Sequence, residues 1–189
     1  MTSISDSSPR DRMLDAAERV VLAKGVGGLT LDAVAREAGA SKGGLLHYFA
    51  SKEALLNAML ERMTALVDSV HERTVGNMPP GPGRVAKAVL AWAFGQAELS
   101  PGDERHDRLA AVFLSAFHHD PALLAPLRAS YARLKAELIA DGLAPGDALV
   151  LMTACDGIFM AHMFKTVEFS AAEMSAMRAT LERLIGGNA

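Results

Sequence analysis

The sequence predicts an all-α fold of about nine helices, and three observations support this prediction. Apolar residues recur at i, i+3 and i+4 along nearly the whole chain of 189 residues, which is the periodicity of helices with one buried face. Runs of alternating polarity, which mark half-buried strands, do not occur in the sequence. Stretches rich in Gly, Pro, Ser and Asp separate the periodic segments and indicate where each helix ends.

Composition excludes several classes of protein. The 19 basic and 22 acidic side chains give a net charge of −3, which excludes a generally basic nucleic-acid coat but not a local contact surface. A single cysteine, Cys155, excludes an internal disulfide framework and a multi-cysteine metal site. The polar N-terminus does not resemble a signal peptide, and no run of about 18 apolar residues occurs, so we expect no membrane span. A reducing, cytoplasmic location is the simplest interpretation.

The chain begins with a polar tail, residues 1–8, which we expect to be disordered. Apolar residues at helical spacing then predict a first helix from Pro9 to about Ala23. Lys24 and Gly25 supply a basic last turn and a glycine stop, so the end of this helix is well marked.

Two short helices and one long helix follow, each opened by a residue with a hydroxyl group. Thr30 is the predicted N-cap of the first, which Gly39 ends, and Ser41 is the predicted N-cap of the second. Ser51 caps the third, which runs to about Thr74. Two short helices joined by a few residues, with a glycine in the turn, form the helix-turn-helix pattern.

The segment 77–83, NMPPGPG, is the clearest break in the chain. It separates the long helix from the helical patterns that follow, which are Val85–Glu98, Asp107–Phe117, Pro121–Ala140, Asp147–Val167 and Ala171–Ile185. We therefore predict a small helix-turn-helix domain at 9–55 and a larger helical domain at 56–189.

The block LTLDAVAREAGASKGGLLHYFASKEALL carries the most specific signal in the sequence. It closely resembles the N-terminal DNA-binding block of the TetR/AcrR family of transcriptional regulators, in detail from about Arg10 to Leu60. The continuation F-x-x-K-E-x-L makes the match more specific than a generic helix-turn-helix. The matching residues are Thr30, Val34, Ala35, Ala38, Gly39, Ser41, Gly43, Leu45, Phe49, Lys52 and Leu55.

The second helix of the motif is the expected recognition helix, whose N-terminal residues must reach base edges in the major groove. Gly43 and Gly44 would let its backbone approach DNA closely, which justifies the roughly 1 kcal/mol that each glycine costs inside a helix. Lys42 can reach guanine acceptors or a phosphate. His47 and Tyr48 project about one turn later, towards bases or backbone, although packing alone remains an alternative for Tyr48.

The remaining residues of the motif divide into positioning contacts and core. We expect Thr30, Ser41 and Lys52 to hold phosphates, which positions the protein without specifying sequence. Thr30 and Ser41 also have a capping role whether or not DNA is bound. Leu45 and Phe49, four residues apart, are assigned to the core of the small domain.

One residue of the recognition helix departs from the family pattern. Many members have a tyrosine at the position of Leu46, used on the DNA backbone, and a histidine at the position of Tyr48. Leucine cannot hydrogen-bond a phosphate, so that contact is either lost or moved to His47 or Tyr48.

The larger domain shows no set of residues typical of an enzyme. His118-His119-Asp120 looks like a metal or acid–base cluster, but Asp120-Pro121 fits an N-cap followed by proline, and the histidines end the preceding helix. His106-Asp107 fits a cap beside a loop. Cys155 fits a small buried hydrophobe better than a redox sensor. We therefore expect no catalytic residue, no metal and no cofactor.

The segment 147–167 is apolar on nearly every face, so it must be covered on nearly every face. A helix in a thin domain achieves this by meeting a partner chain or bordering a cavity; an ordinary central core helix is the alternative. Gly157 removes a side chain where close helix approach would need it. The family resemblance implies that the last two helices, about 147–167 and 171–185, form the four-helix bundle of a homodimer.

Ten methionines and several aromatic residues favour an adaptable apolar pocket for a small-molecule effector. The residues predicted to line it are Trp92, Phe113, Phe117, Phe159 and Met163, although a stripe of this kind also fits simple core. Few fixed charges lie among them, so an apolar or aromatic effector is favoured over a sugar phosphate or nucleotide.

Together, the motif and the resemblance predict a ligand-responsive repressor that binds a palindromic double-stranded DNA operator as a homodimer. The half-sites would lie about one helical turn, ~34–36 Å, or a multiple apart. Two rivals remain: a ligand-independent DNA-binding regulator whose C-terminal domain only dimerises, and a small helical binding module or enzyme that carries a similar hairpin.

Overall fold

The computed structural model describes residues 8–96, 98–99 and 104–187, with the backbone alone at residues 26, 104–107 and 109. Within those ranges the chain forms α-helices and no β-strand, as the periodicity predicts. The helices are α1 (Pro9–Lys24), α2 (Leu31–Glu37), α3 (Lys42–Tyr48), α4 (Lys52–Asn77), α5 (Arg84–Ala93), α6 (Glu104–His119), α7 (Ala125–Ala140), α8 (Pro145–Phe164) and α9 (Ala171–Gly186). The prediction of an all-α fold with about nine helices is confirmed.

The chain divides into two compact units. The head unit contains the residues up to Thr64 together with Arg108–Pro126, and the body unit contains Ala65–Asp107 together with the residues from Leu127 onward. Helix α4 contributes residues to both units and is continuous from Lys52 to Asn77. The division into functional domains at 9–55 and 56–189 stays a prediction.

The core of the head unit is built from the apolar faces of its first helices. Helix α1 packs against α2, and α2 packs against α3. Leu14, Val34, Leu45, Leu56 and Leu60 are completely buried there. Burying a leucine or valine side chain stabilises a fold by about 1.5–3 kcal/mol, so this small unit has a substantial apolar core.

The core of the body unit lies where α5, α8 and α9 pack against one another. Ala86 and Leu90 of α5, Leu151 and Cys155 of α8 and Leu181 of α9 are among its buried members. Only one side of α8 is buried within this chain.

The prediction that α5 reaches Glu98 is wrong, because the helix ends at Ala93. Gly95 adopts φ +75°, a left-handed conformation that glycine takes without strain. The Gln96 amide donates to the Ala91 carbonyl at 2.8 Å, which is the closing bond of a Schellman cap. The apolar Trp92 and Phe94 continue the helical pattern, whereas Gly95 sets the stop.

Helix α8 also ends earlier than predicted, at Phe164 rather than Val167. Lys165 takes φ +51°, and the Thr166 amide donates to the Ala161 carbonyl at 3.2 Å, so a Schellman cap closes the helix without glycine. A non-glycine residue in this conformation gives no sequence signal for the stop.

Helices α4, α6 and α7 differ from prediction at their ends. Helix α4 extends beyond Thr74 to Asn77, where the Arg84 guanidinium donates to two carbonyls of its last turns, on Val75 and Gly76. Helix α6 is longer at both ends, Glu104–His119 instead of Asp107–Phe117. The turn Pro121–Leu124 is a 3₁₀ helix that precedes α7 rather than its first α-turn.

The predicted tail, residues 1–8, needs one correction. Ser8 is the N-cap of α1, since its Oγ accepts a hydrogen bond from the Asp11 amide at 3.1 Å. Residues 1–7 lie outside the described residues, as do the side chains of His106 and Asp107.

Candidate DNA-binding surface and effector site

The first half of the helix-turn-helix has a local cause for each of its boundaries. Thr30 caps α2 by accepting a hydrogen bond at Oγ1 from the Ala33 amide at 3.1 Å. Gly39 takes φ +64°, and the Ala40 amide donates to the Ala35 carbonyl at 2.9 Å, which closes α2 with a Schellman cap. The predicted cap at Thr30 and stop at Gly39 are confirmed.

Helix α3, the predicted recognition helix, has one buried side. Ser41 caps it by accepting a hydrogen bond at Oγ from the Gly44 amide at 3.0 Å. Leu45 and Phe49 point into the head unit and are 0% and 2% exposed. Their assignment to the core is confirmed, and they fix the rotation of α3 in the unit.

The opposite side of α3 is exposed and carries Leu46, His47 and Tyr48. Leu46 is 38% exposed and Tyr48 41% exposed. The His47 and Tyr48 rings meet edge to face with centroids 5.2 Å apart. Tyr48 is therefore not a core residue, and its hydroxyl is carried on an accessible surface. Contact of these side chains with DNA stays a prediction.

Lys42, at the first position of α3, forms an ion pair that the sequence did not reveal. Its Nζ lies 3.0 Å from Oδ1 of Asp32, which is in the first turn of α2. Both side chains are more than half exposed, so the pair contributes at most about 1 kcal/mol and separates easily. The helix dipole alone explains an acid in a first turn, so Asp32 gave no sequence signal for this ion pair.

The predicted phosphate contacts Thr30, Ser41 and Lys52 all lie at N-terminal helix ends. Thr30 and Ser41 are the exposed caps of α2 and α3, and Lys52 is the half-buried first residue of α4. Helix N-termini leave peptide N–H groups without helical partners and carry partial positive charge. The three positions are thus suited to phosphate, although their role stays a prediction.

Gly43 and Gly44 occupy the second and third positions of α3, as predicted. A Cβ at Gly43 would meet no atom within 4 Å, whereas a Cβ at Gly44 would lie 3.2 Å from the Ser41 Oγ. Packing inside the chain therefore accounts for a small residue at Gly44 but not at Gly43. That Gly43 allows DNA to approach the backbone closely stays a prediction.

Replacing Gly43 by alanine is expected to stabilise the protein by about 1 kcal/mol, because alanine is the better helix former. The same change is expected to weaken DNA binding about tenfold, because the new methyl group holds the α3 backbone away from the DNA. Thermal melts and fluorescence anisotropy with labelled DNA measure the two effects. Gly76→Ala, at an open helical glycine of α4, is the matched control and should change stability alone. DNA affinity that is unchanged in Gly43→Ala would contradict this role.

The start of α4 is joined to the end of α6 within the head unit. The Glu53 Oε1 lies 2.8 Å from the His119 Nε2, 66 residues away in the sequence. Hydrogen bonds from Ser51, from the Glu53 amide and from His119 lower the pKa of Glu53 to about 2. The histidines at the end of α6 were expected to interact with the helix dipole, and the structure adds this specific partner.

Three of the five predicted effector contacts lie in the body unit. The rings of Trp92 and Phe159 are 5.7 Å apart, and the indole Nε1 donates to the Leu99 carbonyl at 2.8 Å. Met163 lies one turn beyond Phe159 on α8 and is half-buried. The other two, Phe113 and Phe117, belong to the head unit, with stacked rings 6.3 Å apart. That the five residues line one pocket stays a prediction.

A partly buried polar pair of the body unit was missed by the sequence reasoning. The Tyr131 hydroxyl of α7 donates to Oδ1 of Asp156 on α8 at 3.2 Å. Burial raises the pKa of Asp156, an effect that the Tyr131 hydrogen bond partly offsets. Burial also raises the pKa of the neighbouring Cys155 to about 12, so that thiol stays protonated. The interruption of the apolar run by Asp156 was the available signal.

The body unit also contains a cleft of about 580 Å³ at a different place. It lies between the start of α5, the α7–α8 connection and the end of α9, and it mixes Leu90, Leu143 and Ile185 with Lys87, Arg178 and Glu182. None of the predicted effector residues lines this cleft, so the cleft is not the predicted effector pocket. Among the described residues, no group of three His, Cys, Asp or Glu side chains is arranged to hold a metal ion.

Curated relatives match parts of this chain. HTH-type transcriptional repressor NemR of Escherichia coli (strain K12) is 33% identical over 92 residues, which are 49% of this chain and 45% of NemR. HTH-type transcriptional regulator BetI of Burkholderia mallei (strain NCTC 10229) is 28% identical over 132 residues, which are 70% of this chain and 66% of BetI. The chain therefore spans between about half and two thirds of the length of these relatives.

A solved structure matches nearly the whole chain. The multidrug binding protein EbrR complexed with malachite green is 26% identical with a TM-score of 0.68, over 95% of this chain and 99% of EbrR. Residues 13–59 match the family model for bacterial regulatory proteins of the tetR family. Residues 83–186, more than half of the chain, match the model for the C-terminal domain of tetracyclin repressor-like proteins. This chain belongs to the TetR family of bacterial transcriptional regulators.

Proposed function

We propose that the chain is a ligand-responsive transcriptional repressor that binds a palindromic operator as a homodimer in the cytoplasm. The observation that carries the proposal is the capped α2–α3 motif, with Lys42, His47 and Tyr48 exposed and Leu45 and Phe49 buried. Proteins of this family regulate transcription by binding DNA and are not enzymes. The family membership sets aside the alternative of a small helical enzyme.

The head unit would bind one half of the operator. Helix α3 enters the major groove with Lys42 and the open edge at Gly43 towards the bases, and Lys42 exchanges Asp32 for a guanine or phosphate acceptor. Tyr48 offers the hydroxyl that Leu46 lacks for the DNA backbone. A second head, ~34–36 Å or a multiple away, would bind the other half-site.

The homodimer would form through α8 and α9. By length and composition alone, helix α8 could cross a membrane. Only 28% of its most apolar 18-residue stretch is buried within this chain. Val150, Thr153, Gly157 and Phe164 fall on one exposed face, with Val150 56% and Phe164 48% exposed. The opposite face of α8 packs on α5 and α9. This arrangement fits a soluble helix bundle in which a second copy of the chain covers the exposed face.

The effector would be an aromatic compound bound by the body unit. The paired rings of Trp92 and Phe159 and the half-buried Met163 support a flat, apolar ligand. EbrR, which matches this chain over nearly its full length, has been solved with malachite green and with ethidium, both aromatic. Binding would favour a dimer whose heads no longer fit the operator, with α4 as the continuous connection between the units.

An effector that releases DNA must also bind the DNA-free protein more tightly, because coupling between two sites is reciprocal. We expect some aromatic compounds to raise the Tm of the DNA-free protein. We expect those same compounds to lower its affinity for labelled DNA from upstream of its own gene, measured by fluorescence anisotropy. An unrelated DNA-binding protein on the same fragment controls for compounds that bind DNA themselves. If the protein binds this DNA but no compound both raises the Tm and lowers the DNA affinity, the chain is instead a ligand-independent regulator.

A further inference from the structure

We propose that Asp156 and Tyr131 recognise positive charge, so that the effector is an aromatic organic cation rather than a neutral aromatic compound. This inference rests on the proposed function as an effector-responsive regulator and names the ligand class of that function. Its basis is the chemistry around one carboxylate of α8.

Asp156 lies on the same flank of α8 as the predicted effector residues. Phe159 and Met163 follow it by three and seven residues, which places all three on one side of the helix. Trp92 extends this aromatic surface, since its ring lies 5.7 Å from that of Phe159. Tyr131 completes the group from α7 by donating its hydroxyl to Asp156. The Asp156 carboxylate therefore accepts a hydrogen bond from one aromatic residue and shares a side of α8 with Phe159.

The charge of Asp156 has no basic partner among the described residues. Three other acids of the body unit show the contrast: Asp68 pairs with Arg133, Glu137 with His71, and Glu182 with Arg178. Within the part of the chain that the structure describes, the hydrogen-bond partner of Asp156 is the neutral Tyr131 hydroxyl. A partly buried carboxylate with no cation is unfavourable for the folded state, and the raised pKa of Asp156 reflects that penalty. A bound cation would remove it.

The surroundings select for a cation in two further ways. Aromatic ring faces attract positive charge, so Trp92 and Phe159 would add to the attraction of the carboxylate. The neighbouring titratable groups, Tyr131 and Cys155, remain neutral because burial raises the pKa of both. Neither therefore competes as a second anion. An anionic ligand would meet the uncompensated carboxylate, and a neutral ligand would leave it unpaired.

Two flat probes of nearly the same shape test the inference: 5-methylphenanthridinium, which is a cation, and 6-methylphenanthridine, which is neutral. Isothermal titration calorimetry on the full chain without DNA gives the affinity for each. Asp156→Asn keeps an oxygen for the Tyr131 hydroxyl but removes the charge. This variant should lower the affinity for the cation about tenfold or more. It should change the affinity for the neutral probe less than about twofold. Glu137→Gln, at an exposed acid of the same unit, should change neither.

The stability of the ligand-free protein separates recognition from a structural role. The pKa of Asp156 is raised above its usual 3.8, so its ionisation destabilises the folded state. The penalty is absent at low pH and develops as the pH rises through the raised pKa. Asp156→Asn should therefore raise the Tm at neutral pH and have little effect at pH 3.

Four results would overturn the inference. If Asp156→Asn lowers the affinity for both probes equally, or lowers the Tm at neutral pH, the Asp156–Tyr131 pair is structural. If neutral aromatic compounds release DNA while the cation does not bind, the inference fails and the proposed function stands. If no aromatic compound of either charge binds or releases DNA, both fail.

Discussion

Replacing Lys42 and Tyr48 together by alanine is expected to lower the affinity for DNA from upstream of the chain's own gene roughly 1,000-fold. Each side chain is expected to make one contact per head, worth about 1 kcal/mol or more, and a dimer presents both heads. The four contacts together amount to about 4 kcal/mol. Removing two lysines should also reduce the dependence of log affinity on log salt by about 2. Fluorescence anisotropy at several salt concentrations measures both quantities.

The structure supplies controls for this variant. The Lys42 side chain is 57% exposed and Tyr48 is 41% exposed, outside the core, so the Tm should change little and lost binding cannot be attributed to unfolding. Lys135→Ala removes an exposed lysine from α7 and should leave binding intact. Asp32→Asn frees Lys42 and removes an acid from the same surface, so it should strengthen binding. Wild-type affinity in the double variant would refute the assignment of α3 as the recognition helix.

Replacing Gly157 by leucine is expected to convert the dimer into a monomer and to lower DNA affinity by about 10²- to 10⁴-fold. A Cβ at Gly157 meets no atom within 4 Å in the single chain, so the monomer should fold. Leucine is also the better helix former, by about 0.8 kcal/mol. In the proposed dimer, however, the side chain would enter the close contact between two α8 helices. Light scattering at micromolar concentration measures the assembly.

Gly76→Leu provides the matched comparison for Gly157→Leu. Gly76 is another glycine within a helix whose Cβ would face open space, but it lies on α4, away from the proposed interface. This variant should remain a dimer with wild-type affinity. If Gly157→Leu is still a dimer that binds DNA normally, α8 does not form the interface.

The parts of the fold that follow from local interactions could be predicted from the sequence. The caps at Thr30 and Ser41 depend on hydrogen bonds within three residues, so their side-chain type and position were sufficient evidence. The burial of Leu45 and Phe49 follows from helical spacing and the motif. The end of α5 was predictable in principle, because Gly95 marks it in the sequence.

The contacts that were missed join residues far apart in the sequence. Lys42 pairs with Asp32 at a separation of 10 residues, Tyr131 with Asp156 at 25, and Glu53 with His119 at 66. Periodicity describes which face a residue occupies but not which residue of another helix it meets. The sequence analysis therefore did not identify Tyr131 as the partner of Asp156. The end of α8 at Lys165 could not be predicted, because a lysine in the left-handed conformation has no sequence signal.

Asp156 also connects stability with function. A carboxylate without a cationic partner makes the ligand-free body unit less stable than an asparagine in its place would. Functional sites retain such unfavourable groups when a ligand compensates for them. The proposed effector class therefore follows from an energetic penalty in the ligand-free protein as well as from the aromatic surroundings.

Hydroxyl-radical footprinting of the DNA upstream of the gene tests the central claim most directly. The wild-type protein should protect two stretches related by two-fold symmetry, with centres about 10 base pairs or a multiple of that apart. An effector should remove both protected stretches together, and the Lys42→Ala/Tyr48→Ala variant should give neither. Protection of a single stretch without symmetry, or protection that persists in the double variant, would contradict a homodimeric regulator that reads DNA through α3.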